Sequence, residues 1–159
     1  MSDVTPIHVV AICGSLREVS YTEIALRIAL TGAKEVGATT HLITLRDYDL
    51  SFCEGPVDGK DDDRLREDVA KAQGIILGPP GYHGGMSGVL KNARDLMGSD
   101  EFSGRVVGLV GVAGGSMGAA FTLASLRNIG RSLHSWVIPN EASIPNSKDA
   151  FRDDGQPHD

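Results

Sequence analysis

Ser15, Arg17, Ser20 and Thr22 stand close together in the run Gly14 to Thr22 (GSLREVSYT). Three hydroxyls and a guanidinium are the donors an anion needs. The run follows an apolar β-branched stretch and precedes a segment with helical spacing, so free N–H groups and the positive end of a helix dipole would face the same point. It therefore reads as an anion site, although Ser20 or Thr22 can equally serve as a plain helix cap. The spacing fits neither G-x-x-x-x-G-K-[ST] nor G-x-G-x-x-G, which disfavours a triphosphate or a pyrophosphate and suits a single terminal phosphate.

Two further segments have the composition of binding loops. Pro79 to Gly88 (PPGYHGGMSG) combines prolines that fix the backbone with glycines that let a ligand approach main-chain groups. A flat heterocycle fits there, with Tyr82 and His83 beside its plane or at its edge; His83 reads equally well as a partly exposed loop residue. In Val112 to Gly118 (VAGGSMG), Gly114, Gly115 and Ser116 precede a helix expected to begin near Met117, so their amides would favour negative charge on a reduced ring.

Other chemically capable residues have plainer readings. Lys91 and Asp95 are four apart on an expected helix and suit a solvated ion pair. Asp61, Asp62 and Asp63 suit the exposed first turn of a helix rather than a metal site. His8, His41, His134 and His158 are scattered and suggest no ligand cluster. Cys13 and Cys53 match neither a C-x-x-C pair nor a metal spacing and read as two reduced thiols. Trp136, in an apolar final strand, suits core or subunit interface.

The elements that must position these loops alternate regularly. Ile7 to Cys13 (IHVVAIC) is a strand of the kind covered on both faces. From Thr22 to Val36 apolar residues recur at helical spacing and Gly37 closes the helix. Thr39 to Leu45 reads as a second strand, Arg46 to Asp61 as an irregular loop containing Gly55, Pro56 and Gly59, and Asp61 to Ala72 as a helix. Gly74 to Gly78, Val106 to Val110 and Leu133 to Ile138 supply three more strands, with helices over Val89 to Met97 and Gly118 to Ile129. The alternation predicts an open parallel sheet with helices on both faces, and five strands favour the flavodoxin-like order 2-1-3-4-5. In that three-layer fold ligands bind outside the carboxyl ends of the strands, where the three loops converge. Lys34 to Ala38 and Ser99 to Gly104, at the opposite edge, need only turn chemistry.

The chain has 159 residues, 41% of them hydrophobic, and a net charge of -6. One domain is expected from that length. The negative balance argues against nucleic acid and anionic membranes as partners. No apolar run reaches the roughly 18 residues of a spanning helix, and the N-terminus lacks a signal-peptide pattern, so a cytoplasmic location is expected. Phe151 to Asp159 (FRDDGQPHD) is polar where a last helix would follow the fifth strand. One sheet face is then left exposed unless further residues or another subunit cover it.

With these residues in view, the sequence resembles the NAD(P)H-dependent FMN reductases of flavodoxin-like fold, a group that includes quinone, azo-dye and chromate reductases. Gly14-Ser15-Leu16-Arg17 with Ser20 and Thr22 is similar to the family's phosphate loop, GSLR-x-x-S-x-N, with Thr22 where Asn is usual. Pro80-Gly81-Tyr82-His83, then Gly88-Val89-Leu90-Lys91-Asn92-Ala93-Arg94-Asp95, resembles P-E-Y-N followed by P-G-x-L-K-N-x-x-D. Gly114-Gly115-Ser116-Met117-Gly118 resembles the third flavin loop.

The resemblance implies that Ser15, Arg17, Ser20, Tyr21 and Thr22 hold the FMN phosphate end. Pro80, Gly81, Tyr82 and His83 would meet the isoalloxazine, with Gly114, Gly115 and Ser116 at its pyrimidine end. Gly81 and His83 depart from the usual Glu and Asn; the Glu often serves subunit packing in relatives, and His83 can still offer a backbone amide. The implied activity is ping-pong hydride transfer from NADPH or NADH through FMN to a small-molecule electron acceptor, with no protein acid–base pair needed. Gly84 and Gly85 would leave room for the incoming ring. A homodimer or homotetramer is the implied assembly. The alternatives are a flavodoxin-type electron carrier, which the acidic charge would suit, and a flavin-free phosphate-binding domain.

Overall fold

β1 (His8–Cys13) runs through the middle of the molecule because its apolar residues can be covered on both sides, and Val10 to Cys13 are fully buried. It pairs in parallel with β2 (Thr39–Thr44) and β3 (Gly74–Gly78). β3 continues the parallel ladder to β6 (Val106–Val112), and β6 to β7 (Trp136–Ile144). The order β2-β1-β3-β6-β7 is the expected 2-1-3-4-5, because β4 (Gly81–Tyr82) and β5 (Gly85–Met86) form a separate antiparallel hairpin. This computed structural model describes residues 5–54, 60–152 and 154–158, so Gly55, Pro56 and Gly59 lie outside the described residues.

The helices divide unevenly between the two faces. Against one pack α2 (Asp62–Ala70), α3 (Gly88–Asp95), α4 (Ser99–Phe102) and α5 (Ala120–Ser132), whose Leu65, Val69, Leu90, Phe102, Leu123 and Leu126 join Val10, Ile12, Ile75 and Leu77 in the main core. Burying each such side chain contributes roughly 1.5 to 3 kcal/mol. The other face carries α1 (Tyr21–Glu35), which sets Leu26 and Leu30 on Ala11 and Cys13. Beyond α1, Val106 and Ile138 remain 49% and 40% exposed beside an apolar cleft that Val9, Ile76 and Val110 also line.

Several expectations need correction. The last strand begins at Trp136 instead of Leu133, because Leu133 caps α5, packs on the main core, and is followed by His134 in a left-handed turn (φ 57°). Trp136 is 72% exposed at the sheet edge and is not a core residue. Ser99 to Gly104 is more than a turn: the buried Glu101 carboxylate accepts from Gly98 N at 2.7 Å and pairs with Arg66 at 2.9 Å, which fixes α4. Asp62 is buried, since the loop before it needs acceptors and Ser51 donates to it through both N and Oγ. One helical turn, α6 (Ser147–Ala150), follows β7, and the buried Phe151 stacks on Tyr21.

Lys91 and Asp95 form the exposed ion pair expected of them, at 2.7 Å. Asn92, on the same helix, holds a loop: its Nδ2 donates to Ser51 O at 2.7 Å and its Oδ1 accepts from Cys53 N at 3.2 Å. The buried guanidinium of Arg94 lies 4.9 Å from the Phe102 ring centre with no hydrogen-bond partner among the described residues. Burial pushes its pKa down to about 10, and the ring face offsets part of that cost.

Candidate functional site

The carboxyl ends of β1, β3 and β6 open into one cleft of about 440 Å³. Its first wall is the run from Ser15 to Thr22. Ser15, Ser20 and Thr22 are almost wholly buried, at 2%, 5% and 3% exposure. Ser20 is the N-cap of α1: its Oγ accepts from Glu23 N at 3.2 Å through a lone pair, so its hydroxyl proton can go to the Cys13 sulfur beneath it or to an acceptor in the cleft. Capping and anion binding, which compete as readings of the sequence, are compatible in the structure. Gly14 has to be glycine here. A Cβ on it would stand 2.8 Å from Leu90 Cβ and 3.0 Å from Ser87 Oγ, because α3 presses against the loop from below. Ser87, the cap of α3, also donates to Gly14 O at 2.6 Å and so joins two of the three loops.

Arg17 lines the cleft, and its exposed guanidinium forms no ion pair among the described residues. Its backbone is held from outside: Arg46 Nη1 donates to Arg17 O at 2.6 Å, while Arg46 Nη2 pairs with Glu23 at 2.9 Å. Cys13 lies beneath the same loop, and burial pushes its thiol pKa up despite the backbone hydrogen bond from Ser15. It is kept as a protonated thiol and plays no nucleophilic part.

The hairpin β4–β5 supplies the second wall. Pro80, Gly81 and Tyr82 line the cleft, with Tyr82 41% exposed. His83 and Gly84 form the hairpin turn with φ of 52° and 77°, a left-handed pair that aims the strands back on themselves. The turn itself lies outside the cleft lining, so His83 is positioned by the hairpin and not gathered with the other residues. The third wall is Val112, Ala113 and Gly114. Gly115 and Ser116 also lie outside the lining, because the chain turns through Gly118 (φ 61°) and starts α5 only at Ala120 instead of near Met117.

The same cleft is also lined by Asn146, Ser147, Lys148 and Asp149, which sequence reasoning missed. They reach the cleft because Asn146 adopts a left-handed conformation (φ 46°) and Ser147 N donates to Ala113 O at 3.1 Å, turning the chain back over β6. Arg46 and Ser87 were missed for a related reason, since both act through contacts distant in sequence. An asparagine after a proline and an N-cap serine before GVLKN were the only local signals.

A family model described as NADPH-dependent FMN reductase matches residues 7–149, and the matched stretch contains all three walls and α6 up to Asp149. The chain belongs to this family. An FMN-dependent NADPH-azoreductase of Staphylococcus aureus is 41% identical over 91 residues, which is 57% of this chain and 48% of that protein. The chain thus spans about half the length of the curated relatives it matches. Among solved structures, FerB, a flavoenzyme NAD(P)H:(acceptor) oxidoreductase from Paracoccus denitrificans, superposes with a TM-score of 0.78 at 22% identity, covering 96% of this chain and 87% of that one. An NADH:FMN oxidoreductase superposes at 0.72 with 20% identity over 94% and 82%. At such identities these superpositions show the shared flavodoxin-like fold.

FMN, the cofactor the family name implies, fits the residues present. The wall from Ser15 to Thr22 has buried hydroxyls, a helix N-terminus and a cation without an ion pair, which suit a phosphate. Gly114 has nothing within 4 Å of a Cβ, so at that position the third wall presents bare backbone beside open space, as a flat ring requires. Among the described residues no group of three His, Cys, Asp or Glu is arranged to hold a metal ion.

Proposed function

We propose that the protein is an FMN-dependent NAD(P)H oxidoreductase that passes hydride from NADPH or NADH to a small-molecule acceptor such as a free flavin, a quinone, an azo compound or a metal oxyanion. The observation that carries this is the single cleft in which a hydroxyl-lined helix N-terminus and a glycine-bearing, aromatic-edged wall meet at the carboxyl ends of β1, β3 and β6. When bound, FMN supplies the two-electron chemistry. The chain's own residues bind and orient it.

Ser15, Ser20 and Thr22, with Arg17, would hold the phosphate, each charge-assisted hydrogen bond contributing about 1.5 to 3 kcal/mol. Pro80, Gly81 and Tyr82 would set the plane of the ring, and His83 would contribute through its backbone. The Gly114 backbone, which lines the cleft, would favour negative charge at the ring's pyrimidine end, while Gly115 and Ser116 stand outside the lining. The open side at Tyr82 and Gly85 leaves one ring face free for the nicotinamide and then for the acceptor, so that no side chain has to move a proton.

We place the protein in the cytoplasm, where reduced pyridine nucleotides are produced; among the described residues no helix is long and apolar enough to cross a membrane. A homodimer or larger assembly would cover Leu16, Val19 and Phe52, which are 57%, 77% and 82% exposed near the cleft. The test is an acceptor screen on the FMN-reconstituted protein with both pyridine nucleotides. Steady-state NAD(P)H oxidation dependent on acceptor supports the reductase. Flavin binding without turnover supports an electron carrier, and no visible absorption after FMN is added removes the flavin altogether.

A further inference from the structure

We propose that Lys148 is the second cation of the phosphate end and makes the cleft select FMN over unphosphorylated flavin. The inference rests on the flavin reading above and concerns a residue outside the three loops that carry it. Lys148 lines the same cleft as Ser15 to Thr22, is exposed, and makes neither a hydrogen bond nor an ion pair among the described residues. The other cations near the loop are engaged: Arg46 and Arg27 both pair with Glu23, at 2.9 and 2.7 Å, and Arg152 pairs with Asp154.

The turn that carries Lys148 is held firmly for so short an element. Ser147 is buried and its N–H donates to Ala113 O, Asn146 N donates to Gly115 O at 3.3 Å, and Phe151 stacks on Tyr21 with ring centres 5.7 Å apart and planes 10° from parallel. Tyr21 opens α1, so the stack ties the turn to the same helix N-terminus that faces the anion. Three charged side chains line the cleft, Arg17, Lys148 and Asp149. Their sum is one positive charge, set against a phosphate of about -1.5 to -2 at neutral pH. Without Lys148 the sum is zero, and Asp149 cancels Arg17. Lys148 therefore supplies the net positive charge that adds to what the hydroxyls, Arg17 and the helix N-terminus offer the phosphate.

The experiment measures dissociation constants of the full chain for FMN and for riboflavin by flavin fluorescence, at low and high salt. Because Lys148 is exposed, its variants should keep the fold, as thermal melting checks. Lys148→Ala should weaken FMN binding about tenfold and leave riboflavin within about twofold. Lys148→Glu should weaken FMN further, Lys148→Arg should restore most of the affinity, and Asp149→Asn should tighten FMN. High salt should narrow the difference between wild type and Lys148→Ala, since the pair is exposed. Equal weakening of FMN and riboflavin, or no change in either, overturns the role of Lys148 while leaving the flavin site standing. Wild-type protein that binds neither ligand overturns both.

Discussion

Along the wall of the cleft from Gly14 to Thr22, Ser15, Ser20 and Thr22 are almost fully buried, and the backbone is fixed both from elsewhere, by Ser87 on Gly14 and Arg46 on Arg17, and from within, by Ser20 as the cap of α1. At the ring end Tyr82 is 41% exposed, and the hairpin that carries it is two short strands joined through two left-handed residues. On the proposed function, the contrast follows from what each end would have to do. A resident anion is held best by donors that are already oriented and cost no ordering when it binds. A ring that two successive partners must reach needs an accessible face and cannot be enclosed. On the proposed function, stability and affinity would belong to one end and turnover to the other.

The comparison breaks most sharply at Gly14. Gly14→Ala would push a methyl group into Leu90 and Ser87, neither of which has room to yield, so about 1 to 3 kcal/mol of stability should be lost along with FMN retention. Chemical denaturation and flavin content after purification check both. Ser20→Ala removes a cap and a phosphate donor together. It should cost about 1 kcal/mol in thermal unfolding and weaken FMN about 10- to 100-fold in a fluorescence titration. A loss of stability without a loss of affinity would mean that Ser20 only caps α1.

At the other end the order of effects reverses. Gly85 lacks the positive φ of Gly84, and a Cβ there meets only Tyr82 O at 3.8 Å. Gly85→Leu should therefore fold normally and bind FMN within about threefold while lowering kcat/KM for NAD(P)H about tenfold or more, a loss of at least about 1.4 kcal/mol in transition-state stabilisation. Unchanged turnover would show that the free ring face lies elsewhere. The smallest effect is expected at His83. Relief of its left-handed strain by His83→Gly roughly offsets the added freedom of the unfolded chain, so stability should move by less than about 1 kcal/mol. Flavin affinity should hold within about twofold if His83 acts through its backbone. A larger loss in the titration would assign the imidazole a role.

The two ends also differed in how far they could be read from the sequence. Ser15, Ser20 and Thr22 were legible because a hydroxyl-rich run before an amphipathic helix is a local pattern, and local patterns persist in the fold. The alternation of strands and helices was legible for the same reason, down to the order of the main strands. His83, Gly115 and Ser116 were assigned to the site by the same kind of pattern, but the hairpin turn and the delayed start of α5 take them out of the cleft lining. Asp62 looked like a solvated charge at a helix start and is a buried acceptor for Ser51, a partner the sequence gives no reason to expect.

By itself the sequence determined the parallel sheet, its strand order and the hydroxyl-rich character of the loop between β1 and α1. Hydrophobic periodicity and helix-start chemistry act within a few residues, so they are written locally. Only the tertiary structure decided that Arg46 holds the loop after β1, that α3 forbids a side chain at Gly14, and that a single turn after β7 folds back to bring Lys148 into the same cleft as Ser15. Each of these is a contact between residues far apart along the chain, and such a contact exists only once the sheet has fixed where its loops emerge.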